Sequence, residues 1–257
     1  MSAVQYAISD TFVLAVRNLK RIPRAPDLLI SFTLQPLMFV LLFVYVFGGA
    51  IQTPGHDYVD FVIPGLIAQT MFFGGFVTAI GLADDLKKGL IDRFRSLPMS
   101  RGAVLAGRTL ADVATNMLSL AVMVSVGLII GFSFDASFFE ILAGVGLMLL
   151  FGYAFSWIFA LFSLLASSAE AAQAIGFMVI FPLTFISSAF VPIDSLPDGL
   201  RQFAEGNPFT VAVDAMRALW IGDPAGNSIW GAVVWSLGLI GLFAWLSVGR
   251  YKRAVSA

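Results

Sequence analysis

The chain has 257 residues, 59% hydrophobic and only 12% charged, with a mean hydropathy of +0.90 and a net charge of −1. Soluble domains carry about 25% charged residues, so this is a membrane protein's composition, with no polar block large enough for a separate soluble domain. The net charge argues against a nucleic-acid partner, which needs a concentrated basic face. With no cysteine there are no disulfides, thiolate metal sites or cysteine nucleophiles.

Near the N-terminus, Ala7, Ile8, Thr11, Phe12, Ala15 and Leu19 recur at helical spacing. Asp10, Arg17, Lys20 and Arg21 lie mainly on the opposite face, which predicts an amphipathic interfacial helix over about 4–22, ended by Pro23 and Pro26. Uncharged apolar runs then predict six transmembrane helices over about 28–51, 61–83, 113–132, 141–168, 171–192 and 228–248. Pro36 breaks the first, Pro64 sits in the first turn of the second, and Pro182 lies inside the fifth. The first run is longer than the core of a signal peptide and no clear cleavage site follows it, so it is expected to be a retained span.

Six spans place both termini on one side of the membrane. Thirteen of the fifteen basic residues then face the cytoplasm, against Arg201 and Arg217 on the far side. That asymmetry predicts cytoplasmic termini and a multi-pass protein of the cytoplasmic membrane.

No catalytic constellation is visible. The one histidine, His56, reads as a solvated loop residue beside Asp57, with no second His or Cys to complete a metal site. No GxxxxGK[ST] phosphate loop is present, and no histidine in a span could activate a serine. Asp60, Asp84, Asp85, Asp112, Asp135, Glu140 and Glu170 are expected at span ends or in loops, leaving no ionisable group at mid-bilayer. That pattern disfavours an ion-driven secondary transporter, while leaving open sodium sites built from carbonyls and hydroxyls. The chain has 25 Phe and nine Met, and Phe39, Phe43, Met71, Phe72, Phe73, Phe177 and Phe181 are candidates to line a route for a greasy solute. Lipid contact and helix packing are the structural alternative for each of them.

Between the fifth and sixth spans, two short helices are expected over about 195–221. Asn207 is placed to cap the second, Pro208 to occupy its first position and Gly222 to end it. Each is too short to cross the bilayer, and the apolar surface of the second suits a re-entrant pair embedded from the far side.

The loop between the second and third spans runs from Asp84 to Asp112 and carries six basic residues. Within it Leu86, Leu90, Phe94 and Leu97 form one helical stripe decorated by Lys87, Lys88, Asp92 and Arg95, and Pro98 ends it. This predicts an amphipathic helix over about 85–97. Held between two spans, it can act as a lever seated in a groove of a soluble partner, or rest on lipid headgroups.

The run Leu90-Ile-Asp-Arg-Phe-Arg-Ser-Leu-Pro-Met-Ser-Arg, followed by Gly107-Arg108 and Ala111-Asp112, resembles the cytoplasmic signature of ABC-2 type exporter permeases. Within that family it is most similar to the daunorubicin-resistance-like branch. Phe190-Val-Pro-Ile-Asp-Ser-Leu-Pro, Asn207-Pro-Phe-Thr and Asp214-Ala-Met-Arg-Ala-Leu-Trp are similar to the family's re-entrant region. Asp92 stands where family members often have Glu, which keeps the carboxylate. The resemblance implies a non-enzymatic half-transporter that pairs with a second permease protomer, as a homodimer, and binds two copies of an ATP-binding subunit. ATP and Mg²⁺ would sit on that partner, with no cofactor on this chain. Leu86, Leu90, Asp92, Arg93, Phe94, Arg95, Leu97 and Pro98 would form the ATPase-coupling helix, and Asn207, Pro208, Asp214 and Arg217 would mark the re-entrant region. The implied cargo is a drug-like or lipidic amphiphile. Polysaccharide or glycolipid export and ATPase-independent secondary transport are the alternatives.

Overall fold

Backbone polar groups in a lipid interior must be satisfied within the protein, which leaves helices as the natural state of long apolar runs. The computed structural model describes residues 3–19, 34, 36–53, 55–87 and 101–256, and every regular element among them is helical. The helices are α1 (Ala3–Leu19), α2 (Pro36–Phe47), α3 (Tyr58–Lys87), α4 (Arg101–Ile130) and α5 (Phe138–Leu165). They continue with α6 (Ala169–Phe185), α7 (Asp198–Gly206), α8 (Pro208–Trp220) and α9 (Ser228–Ser256).

Among the described residues, four segments are long and apolar enough to cross a bilayer: Tyr58–Ala83, Leu105–Ile130, Phe138–Leu165 and Ser228–Tyr251. The fifth of the six expected spans is represented by a shorter apolar helix, Ala169–Phe185, while of the first the helix Pro36–Phe47 is described and residues 28–33 and 35 lie outside the described residues. The fifth was expected to run to residue 192, but its helix stops at Phe185. Asn207 explains the stop. Its side-chain amide donates to the carbonyls of Leu183 (2.7 Å) and Ile186 (2.8 Å), two acceptors at the end of α6. Its side-chain oxygen meanwhile accepts from the Phe209 amide (2.9 Å) and caps α8. One residue thus ends α6 and starts α8.

The central helix is α5, apolar on every face and started by a reciprocal cap. The Ser137 amide donates to Glu140 Oε2 (2.7 Å), and the Glu140 amide donates back to Ser137 Oγ (3.4 Å). Around α5 pack α3, α4, α6, α8 and α9. The main core holds the fully buried rings of Phe72, Phe151, Phe155, Phe159 and Phe209. A smaller cluster of Leu82, Leu105, Trp157, Ala160 and Tyr251 ties α3, α4, α5 and α9 together at another level. α1 lies along α4 with Leu14 and Ala15 inward and Phe12 and Val13 exposed.

Burial separates inner from outer helices. In the apolar segment of α3, 76% is buried, against 11% in that of α9. Large apolar side chains left outside would be ruinous in water, but among lipid tails they carry no penalty. The exposed Trp230, Val234, Leu237, Leu242 and Trp245 of α9 give it an outer face suited to lipid contact.

Candidate functional site: an aromatic tract and a buried arginine

Five of the seven candidate path residues come together. Phe39 and Phe43, one turn apart on α2, stack at 6.3 Å between ring centroids, and Phe39 meets Phe73 of α3 at 6.5 Å. Phe73 contacts Phe177 of α6 at 6.0 Å. The tract returns along α6, where Phe181 stacks on Phe185 at 4.4 Å, and Phe185 reaches Phe190 at 5.2 Å. Phe190 stacks on Phe43 at 4.3 Å. Phe177 and Phe181 are 50% and 59% exposed, whereas Phe43 and Phe190 are buried in the main core, so the tract runs from the core to an exposed edge on α6. Met71 and Phe72 turn the other way, fully buried, with Phe72 against Phe155 at 3.9 Å. Neighbours on a helix point about 100° apart, so Phe72 and Phe73 cannot share a face.

Beside this tract lies Arg217, 3% exposed, at the junction of α8, the turn after α6 and the start of α3. Its Nε and Nη2 donate to the Phe61 carbonyl (3.0 and 2.8 Å), and Nη2 also donates to the Ser188 carbonyl (2.7 Å). Nη1 pairs with Asp214 Oδ1 at 3.2 Å, which also accepts from the Ser188 hydroxyl at 2.7 Å. The guanidinium stacks 3.6 Å above the Phe61 ring. Burial lowers the Arg217 guanidinium to about 10, opposed by Asp214, so it stays cationic at neutral pH. Burial likewise raises the Asp214 carboxyl, offset by Ser188 and Arg217. The turn approaches α3 so closely that a Cβ on Gly65 would fall 2.2 Å from the Ala189 carbonyl oxygen. Arg217, Asp214 and Asn207 thus weld α8 to α3 and α6. The expected caps of α8 are in place, with Pro208 at its first turn and Gly222 at φ +73° beyond its end.

Two readings from the sequence are corrected. Asp112 is no span-end carboxylate: it is 4% exposed and lies inside the Leu105–Ile130 apolar segment. Its carboxylate accepts a hydrogen bond from the Thr78 hydroxyl of α3. The third span was expected to start at residue 113 because Asp112 interrupts the apolar run. Turned inward onto α3, Asp112 needs no exit from the membrane, and the helix runs straight through it. One turn on, Asn116 (1% exposed) fills a niche between Gly74 and Gly152, where a Cβ on Gly74 would lie 2.0 Å from Asn116 Oδ1. The signal was legible, since Asp112, Asn116 and Ser119 recur at spacings of four and three on α4. His56 is the second correction. It is not a merely solvated loop residue, because its Nε2 lies 2.8 Å from Asp223 Oδ1, joining the loops before α3 and after α8.

Of the expected lever residues, Leu86 falls in the last turns of α3. Leu90, Asp92, Arg93, Phe94, Arg95, Leu97 and Pro98 lie outside the described residues.

Comparison with known proteins sets this architecture in a family. Residues 9–220 match the family model described as ABC-2 type transporter. The chain is 33% identical over 247 residues to the daunorubicin resistance ABC transporter permease protein DrrB1 of Streptomyces coeruleorubidus, spanning 96% of this chain and 87% of that protein. It is 26% identical over 255 residues to the probable doxorubicin resistance ABC transporter permease protein DrrC of Mycobacterium tuberculosis (strain ATCC 25618 / H37Rv), spanning 98% and 92% respectively. The putative transport permease ycf38 of Cyanophora paradoxa is 26% identical over 219 residues, spanning 84% of this chain and 75% of that protein. An inner scaffold of long apolar helices and a match over most of the chain lead to one conclusion: this protein belongs to the ABC-2 type transporter family, as a membrane component of a transporter rather than an enzyme.

Proposed function

We propose that the chain is the membrane subunit of an ATP-binding cassette exporter that moves a hydrophobic or amphiphilic compound out of the cell. The observation that carries the cargo class is the aromatic tract of Phe39, Phe73, Phe177 and Phe181, half-buried on α2 and α3 and exposed on α6, which offers rings and few hydrogen-bond partners. Relatives named for daunorubicin and doxorubicin resistance support the same reading. Two copies pair across this tract and bind two copies of a separate ATPase, which holds ATP and Mg²⁺. The helix carrying Leu86, Leu90, Asp92, Arg93, Phe94, Arg95, Leu97 and Pro98 receives the ATPase's motion. The two short apolar helices, α2 and α6, complete six spans in the cytoplasmic membrane with both termini inside, and α7 and α8 are re-entrant from the outside.

The test is co-expression with a candidate P-loop ATPase subunit, followed by transport of a hydrophobic dye into proteoliposomes. Dye accumulation is expected only with ATP, and Arg93→Ala with Phe94→Ala should uncouple it while leaving the permease folded. The reading fails if no ATPase co-purifies and both variants transport at the wild-type rate.

A further inference from the structure

Behind α6, on the side away from the aromatic tract, lies a cavity of about 170 Å³ between α3, α5, α6, α8 and α9, with no polar atom in its wall. Its floor is the buried trio Phe72, Phe155 and Phe159. Its rim is Val179 of α6 with Leu239 and Phe243 of α9, which are exposed or half-buried. On α6 the tract residues 177, 181 and 185 follow one stripe and the cavity residues 176, 179, 180 and 183 the opposite one, so α6 stands between the two features.

We infer that this cavity binds a hydrocarbon chain, the acyl tail of a bilayer lipid that enters sideways between α6 and α9. Chemistry selects the occupant. A wall made only of carbon offers water no partners, and a polar ligand would leave its donors and acceptors unpaired. The volume is close to that of an engineered apolar cavity of about 150 Å³ that stays dry and accepts benzene, so a ring-sized length of chain fits. Left empty, the rings of the floor lose dispersion contacts on one side. Position selects the source. The rim opens beside α9, the least buried of the four long apolar segments described, whose outer face carries large exposed apolar side chains. A lipid can place its tail in the cleft while its headgroup stays outside, which explains why the site needs no polar group. The inference requires only that a bilayer surrounds the chain, and it stands whether or not the exporter reading does.

The experiment uses the full chain in phosphatidylcholine nanodiscs containing a phosphatidylcholine with a diazirine on one acyl chain. After illumination, labelled peptides are mapped by mass spectrometry, and the exposed face around Trp245 reports contact with bulk lipid. Adducts are expected on the buried 155–159 segment as well as around Trp245. Val179→Trp or Leu239→Trp fills the mouth, leaving no room for a chain, and should lower the 155–159 adducts about fivefold while those around Trp245 persist. Monodisperse elution of either variant is enough for the comparison, and Leu239→Phe replaces both if neither is monodisperse. The inference is overturned if wild type shows no adduct at 155–159, or if filling the mouth leaves that adduct unchanged. It is equally overturned if only a diazirine-labelled free amphiphile, and not the phospholipid, labels the segment.

Discussion

Replacing Arg217 by Met keeps a long flexible stem and removes the guanidinium, so the change isolates the polar part of the junction. In the wild type that group satisfies the carbonyls of Phe61 and Ser188 and neutralises Asp214. Removing one partner of a buried ion pair costs about 3–5 kcal/mol, because the other charge and its acceptors are left stranded. Asp214 is 40% exposed and keeps the Ser188 hydroxyl, so it can rehydrate in part. The lower end, about 3 kcal/mol, is therefore expected. For a chain of this size that is a fall of about 6–12 °C in Tm, read by fluorescence-detected gel filtration after heating. Arg217→Lys should lose about half as much, since the charge survives and the fork of donors does not. Asp214→Ala in the Arg217→Met background should recover part of the loss by removing the stranded carboxylate. A Tm for Arg217→Met within about 2 °C of wild type would refute the idea that this residue welds α8 to α3.

Four further outcomes are expected. Thr78→Val should destabilise by about 1–3 kcal/mol, because the buried Asp112 carboxylate loses its donor, while Thr78→Ser stays near wild type in the same melting assay. Gly74→Ala forces a methyl into Asn116 and should cost about 1–3 kcal/mol. Asn116→Ala, which vacates the niche and removes a buried amide nitrogen without a hydrogen-bond partner, should rescue it in the double variant. Phe72→Ala should lower stability by about 3–5 kcal/mol through a core void. Phe177→Ala and Phe181→Ala, both exposed, should change stability by under about 0.5 kcal/mol yet reduce ATP-driven dye transport by the reconstituted pair.

The membrane class, the helical secondary structure and the family were legible in the sequence, because hydropathy and local motifs are properties of contiguous residues. The same holds for the joint at Asn207-Pro208, where a cap and a proline dictate a helix start whatever surrounds them. The candidate path was legible as composition but not as a tract. In α3 and α5 every face is apolar, so no polar stripe marks which side turns outward, and only the neighbouring helices send Phe73 to the tract and Phe72 to the core. Asp112 was misjudged for the related reason that a charge in an apolar run reads as an end until a partner is known, and Thr78 stands 34 residues away. The early end of the fifth helix also follows from a tertiary partner, since Asn207 closes α6 from 21 residues downstream of Ile186. Sequence by itself therefore determined that this chain is helical and lives in a bilayer. The arrangement of buried charges, the aromatic tract and the lipid-facing cavity were decided only by packing between segments far apart in the chain, since each depends on which faces meet.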